Sequence, residues 1–180
     1  MLTTECAKKK YTTKRVLRNG VNVIFRPIQP ADQQKLGNFI AGLSRESLHF
    51  RFLGIKKEIP QEMPRQLCNV DFCQKLNIIA QLSDSEEIVG MAQLTLDCCG
   101  LGEFALVVAD AWQGKGLGEE LMAYTLKIGE DQGLCEIHFF VSTDNIRMIA
   151  LAKKLGMTKK SSDGDTVEMS LQLPQSLGQL

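Results

Sequence analysis

Six consecutive residues, Gln113-Gly114-Lys115-Gly116-Leu117-Gly118, have the makings of an anion seat. They follow an apolar run (Phe104, Ala105, Leu106, Val107, Val108) and open a segment whose apolar residues Leu117, Leu121, Met122, Leu126 and Ile128 recur at helical spacing. A helix start carries N–H groups without partners inside the helix and lies at the positive end of its dipole, so it favours a phosphate or diphosphate. Glycines allow positive φ and close backbone approach there, and Lys115 adds a positive charge. Two other phosphate motifs fail. The P-loop needs Gly-x4-Gly-Lys followed by Ser or Thr, and the dinucleotide fingerprint needs Gly-x-Gly-x-x-Gly, whereas the glycines here fall at Gly114, Gly116 and Gly118. A turn that merely starts a helix would use the same glycines. A second candidate is Glu103, a carboxylate at the entrance of an otherwise apolar strand. In a partly desolvated setting it would serve as a general base; facing water, it would be an ordinary strand-entry glutamate.

The flanking elements are those of a mixed α/β sheet. Val21, Val23 and Phe25 predict a first strand closed by Pro27, and Pro30-Ala31-Asp32 leads into a helix with Leu36, Phe39, Ile40 and Leu43 on one stripe. Ser44 is a candidate cap for a second helix through Leu48-His49-Phe50-Arg51-Phe52-Leu53. Pro60 and Pro64 break a loop that enters a helix running through Arg65, Leu67, Cys68, Val70 and Phe72. Segments 76–82 and 87–96 predict a hairpin, with Gly90 marking a bulge or a close approach. A turn at 97–102, the strand from Glu103, the helix at 114–130 and a strand at 134–141 follow. Thr143 or Asp144 caps a further helix ended by Gly156, and 157–160 with 166–173 complete the sheet. The alternation predicts one α/β domain over 20–173, a mixed sheet of about six to seven strands flanked by helices, after a polar leader at 1–19 and before a tail at 174–180.

Lys plus Arg and Asp plus Glu both number 21, so no global field favours nucleic acid or anionic membrane. The cluster Lys8, Lys9, Lys10, Lys14, Arg15 and Arg18 reads as a solvated charged end. The six cysteines, Cys6, Cys68, Cys73, Cys98, Cys99 and Cys135, show no Cys-x2-Cys knuckles, and with only His49 and His138 beside them no zinc framework is implied. No signal-peptide core or membrane-length apolar stretch appears, which predicts a cytoplasmic protein with free thiols.

The chain resembles the GNAT superfamily of N-acetyltransferases. Their acetyl-coenzyme A signature, Gln/Arg-x-x-Gly-x-Gly/Ala, is matched by Gln113, Gly116 and Gly118, and the run from Glu103 to Gly118 is similar to the bacterial protein lysine acetyltransferase branch. The resemblance spans roughly residues 20 to 172. It implies the GNAT acyl-CoA N-acyltransferase fold, with acetyl-coenzyme A as co-substrate and no metal. It implies backbone contacts to the carrier from Val107 and Val108 and a diphosphate seat at Gln113, Gly114, Lys115, Gly116, Leu117 and Gly118. A contact to the pantetheine arm from Asn145 follows too, although helix capping would equally account for that residue. Glu103 falls at the catalytic glutamate of many members, far enough along its strand from the thioester to act through water. His49, Phe50 and Arg51 fall on the acceptor wall, where core packing of Phe50 and Phe52 is the alternative. The tyrosine that protonates the leaving thiolate in many members is replaced by Ala152, and Met157 stands where a phenylalanine is common.

The implied reaction is transfer of an acetyl group to a primary amine, first of all a protein lysine. A small-molecule amine acceptor and a coenzyme A-binding regulatory domain without turnover are the competing readings. The implied partners are acetyl-coenzyme A and the amine, with the chain a monomer or homodimer and with neither nucleic acid nor membrane involved.

Overall fold

Eight strands form one sheet in this computed structural model, which describes residues 9–52, 60–72 and 74–174. The strands are β1 (Thr13–Val16), β2 (Asn22–Pro27), β3 (Lys75–Leu82), β4 (Ile88–Leu96), β5 (Leu101–Val108), β6 (Glu136–Ser142), β7 (Thr158–Asp163) and β8 (Thr166–Gln172). The inner strands β3 and β4 are buried almost throughout, and the edge strands β1 and β7 are exposed. Their order is β1-β2-β3-β4-β5-β6-β8-β7, with every neighbouring pair antiparallel except the parallel pair β5–β6. Helices α1 (Gln33–Ala41), α2 (Arg45–Phe52), α3 (Met63–Cys68), α4 (Leu117–Asp131) and α5 (Ile146–Lys154) flank it. The mixed α/β architecture is the expected one.

Each face of the sheet has its own core. Phe104 and Val108 of β5 join Leu117, Leu121 and Met122 of α4 on one face; Val107 joins Leu36, Phe39 and Ile40 of α1 and Leu67 of α3 on the other. Period-two alternation therefore puts Glu103, Ala105 and Val107 on the α1–α3 side. Each large apolar side chain withdrawn from water contributes about 1.5–3 kcal/mol. The expected irregularity at Gly90 is a bulge: Ala80 pairs with Gly90 and Gln81 with Ile88, so Val89 is skipped. Ile88 and Met91, three residues apart, consequently share one core.

A second anchor lies under α1. The Arg26 guanidinium grips Asp32 with two bonds of 2.7 Å, and Asp32 also accepts from Gln29 N–H. Burial alone would raise the Asp32 carboxyl, but those hydrogen bonds outweigh it and hold it below its ordinary value.

Three boundaries depart from expectation. Thr13–Val16 is an edge strand rather than leader, with Tyr11 and Leu17 buried on either side of it, and it brings the strand number to eight. Its sequence is polar because an edge strand with exposed side chains has little to bury. Leu101 and Gly102 belong to β5 rather than to the preceding turn, and α3 stops at Cys68. Residues 1–8, 53–59, 73 and 175–180, on which part of the expected leader, helix end, loop and tail fall, lie outside the described residues. No described helix is long and apolar enough to cross a membrane, and no described cluster of His, Cys, Asp or Glu could hold a metal ion.

Candidate active site

The central pair of strands is joined along only part of its length. β5 and β6 pair at Leu101–Glu136, Gly102–Ile137 and Glu103–His138, and then diverge. Phe104 and Phe139 meet edge-on at this vertex, ring centroids 5.9 Å apart. Beyond them β5 stays paired with β4, and β6 with β8, so each presents a bare edge to the gap between them. The result is a cleft of about 670 Å³. Its walls are β5 from Phe104 to Val108, β6 from Phe139 to Val141, the start of α5, residues of α2 and the glycine turn.

At the wide end lies the turn into α4. Gly114 (φ +71°) and Gly116 (φ +88°) adopt backbone conformations that side chains disfavour, and Gly116 is the N-terminal cap of α4. The first hydrogen bond of α4 runs from Glu120 N–H to Gly116 O, leaving the preceding N–H groups from Gly114 onward without a backbone acceptor among the described residues. Gly118 abuts Val108, Leu106 and Leu151, where an added Cβ would make contacts of 3.6–3.7 Å. The seat is thus main chain at a dipole's positive end, lined by Arg18 and Arg147. Arg18 is bonded to Glu119, as is Lys154, and the Lys154 ammonium holds the Glu119 carboxyl below its ordinary value.

The Gln113 side chain is a brace. Its Nε2 donates to Ser47 Oγ (2.9 Å) and Val108 O (3.1 Å), and its Oε1 accepts from Arg147. Asp110 adds a second tie to α2, accepting from Ser44 N–H (2.9 Å), Ser44 Oγ (2.6 Å) and Ser47 Oγ (2.8 Å). Partial burial would push the Asp110 carboxyl up, yet the hydrogen bonds from Ser44 and Ser47 bring it below its ordinary value. Ser44 also caps α2 as expected, its Oγ accepting from Ser47 N–H.

At the narrow end stand Phe50 and Arg51 of α2. Arg51 Nη2 donates to Gln93 Oε1 at 2.8 Å, Gln93 Nε2 reaches Thr95 Oγ1, and Thr95 is in register with Glu103. Burial lowers the guanidinium to about 10, with the nearby Glu103 charge opposing, so Arg51 remains a cation at neutral pH. Glu103 is exposed, with His138 in register on its other side.

Most expected site residues converge here. Val107, Val108, Gln113, Gly114, Gly116, Gly118, Asn145, Phe50 and Arg51 line the cleft. The side chains of Lys115 and Leu117 do not: Lys115 Nζ lies over the Trp112 ring at 5.1 Å, and Leu117 is fully buried in the core, so each offers only its N–H. His49 is exposed on α2 and outside the lining, and Glu103 sits exposed at the vertex, also outside it. Asn145 does cap α5, accepting from Met148 N–H at 3.1 Å, while also lining the cleft. Neither Phe50 nor Phe52 enters a core cluster. Ala152 and Met157 are buried, and Tyr124 packs on Phe25 away from the cleft. The sequence alone marks none of Arg18, Ser47, Gln93, Asp110 and Arg147 as site residues.

The geometry suits a carrier with a diphosphate and an extended amide-bearing arm: free N–H groups at the wide end, a bare strand edge along the gap. The Acetyltransferase (GNAT) family model matches residues 47–157, more than half of the chain. Acetyltransferase PA5475 of Pseudomonas aeruginosa is 30% identical over 157 residues, covering 85% of this chain and 84% of its own. The GNAT domain of S. lividans PAT superposes with a TM-score of 0.84 at 23% identity, covering 91% of this chain and 98% of that one. A spermidine N-acetyltransferase from Vibrio cholerae, in complex with CoA and spermine, superposes at 0.69 with 15% identity, covering 83% and 95%. The chain belongs to the acetyltransferase (GNAT) family and is an acetyl-coenzyme A-dependent N-acetyltransferase.

Proposed function

We propose that the chain acetylates lysine side chains of proteins, by direct transfer with no covalent enzyme intermediate. The observation that carries this acceptor class is the charge balance of the cleft. Its lining holds three carboxylates (Glu46, Glu119, Asp144) against three guanidinium groups (Arg18, Arg51, Arg147), not the acidic pocket that would select a free polyamine. The likeness of the Glu103–Gly118 run to the protein lysine acetyltransferase branch supports the same class.

Acetyl-coenzyme A supplies an acyl group already activated as a thioester. The N–H groups of Gly114 to Gly118 hold the diphosphate, and the gap-facing edge of β5 at Val108 orients the arm, its N–H polarising the carbonyl; Val107, expected to share that role, has its main chain turned to β4. Asn145 keeps the opposite wall in place. Glu103 accepts the amine proton through water: four residues from Val107, it lies about 13 Å along the strand. Its exposure leaves room for that water, and proton-transfer contacts commonly tighten only when substrates are bound. No tyrosine, cysteine, histidine or lysine side chain lines the cleft among the described residues, so the leaving thiolate departs without a side-chain acid.

Incubation with radiolabelled acetyl-coenzyme A against a protein panel and a small-amine panel tests the acceptor. Label in proteins, mapped to lysines by mass spectrometry, is the expected result. Label confined to the small amines overturns it.

A further inference from the structure

Arg51 differs from the other two arginines of the cleft. Arg18 is paired with Glu119, and Arg147 is exposed to solvent. Arg51 is part-buried, and its Nε is sealed from solvent with no hydrogen-bond partner. A guanidinium offers five N–H donors, and the one bond described for Arg51 is to Gln93. No described carboxylate lies within 4.0 Å of it, Glu103 included. The Phe52 ring, 4.8 Å from the guanidinium carbon, covers one face and fixes the plane. A part-buried guanidinium that lines the cleft and is bonded once keeps donors for something bound there.

Its position narrows what that something is. Gln93, which holds Arg51, is in register with Ala105, between Glu103 and Val107 on the same face of β5. Arg51 thus stands at the reacting end of the cleft, opposite the glycine turn that serves the diphosphate. A planar fork of donors is matched by a carboxylate.

We propose that Arg51 seats a carboxylate carried by one of the two substrates beside the reacting groups, an inference that rests on the cleft being the acyl-transfer site. Two sources share this chemistry. One is an acyl thioester ending in a carboxylate; the other is an acceptor whose carboxylate lies close to its amine. Gln93 orients the guanidinium, and Glu103, on the same strand, faces the amine rather than the anion.

Calorimetry on the full chain separates the sources. The acyl arm compares malonyl-coenzyme A with butyryl-coenzyme A, of like length and uncharged at the tip. The acceptor arm, at saturating coenzyme A, compares alanine with alaninamide. In one arm the carboxylate-bearing ligand binds roughly tenfold tighter or more, as a charge-assisted fork requires. Arg51→Gln brings that ratio to about one, and Arg51→Lys, which keeps the charge without the fork, falls between. A wild-type ratio near one in both arms overturns the proposal, as does an unchanged ratio in Arg51→Gln. Should Arg51→Gln fail to fold, the wild-type and Arg51→Lys ratios decide. Turnover is scored separately: selective binding with no transfer to any amine defeats the transferase reading and leaves the seat standing, whereas transfer without selectivity defeats the seat alone.

Discussion

The two ends of the cleft are made of different material. The wide end is main chain: N–H groups ahead of α4, aimed by two glycines at positive φ, with the Lys115 and Leu117 side chains turned elsewhere. The narrow end is side chain: Phe50, Arg51, Gln93 and Glu103, drawn from α2, β4 and β5. A backbone seat recognises the part of a substrate that never varies and tolerates most substitutions around it. A side-chain seat determines which amine or acyl group is accepted, and one substitution changes it. Binding of the carrier and choice of the acceptor are thereby separable.

Substitutions should expose that separation. Glu103→Gln is expected to have the largest effect, lowering amine-dependent transfer by roughly a hundredfold or more while acetyl-coenzyme A affinity stays within about twofold. Unchanged transfer at saturating amine, under conditions where chemistry limits turnover, removes Glu103 from the mechanism. Gly116→Val attacks the other end. It strains a left-handed position by about 1–2 kcal/mol, so cofactor affinity should fall about tenfold before any effect on acceptor choice. Calorimetry showing full affinity would mean the diphosphate sits elsewhere.

Asp110→Asn tests the brace between the two ends. With its hydrogen bonds to Ser44 and Ser47 weakened, stability should drop by about 1 kcal/mol, discounted because the carboxylate is exposed. Since its folded pKa is lowered, its contribution is complete above the ordinary aspartate value and is lost as pH falls through the folded one. The wild type should thus lose its advantage over the variant below about pH 4, a trend read from urea melts. Val107→Ile should do least, shifting KM by less than about threefold, because its side chain packs in the core under α1 and its main chain is bonded to β4. A large loss there would place the side chain in the reaction.

The wide end was legible in the sequence because a strand, a glycine turn and a helix lie consecutively there. Local periodicity reports such a unit directly. The narrow end was legible only as a resemblance, since Arg51, Gln93 and Glu103 come from three segments that the β4–β5 register and α2 bring together. Arg18 was hidden for another reason. The segment holding it is polar, and an exposed edge strand lacks the alternation that betrays an inner one. The divergence of β5 from β6 left no local mark either. Beyond Glu103 and His138 both strands are largely apolar, and the ring contact of Phe104 with Phe139 marks where their pairing ends.

That divergence leaves the middle of the sheet with two unsaturated rims. A carrier arm rich in amides, laid along the free edge of β5, would act as one more row of the ladder, so that the sheet becomes continuous only when loaded. Fold and reactant then stabilise each other: every tenfold of free carrier above its dissociation constant adds about 1.4 kcal/mol to resistance against unfolding. The protein would be most robust when its acyl supply is plentiful and loosest at its centre when that supply runs out.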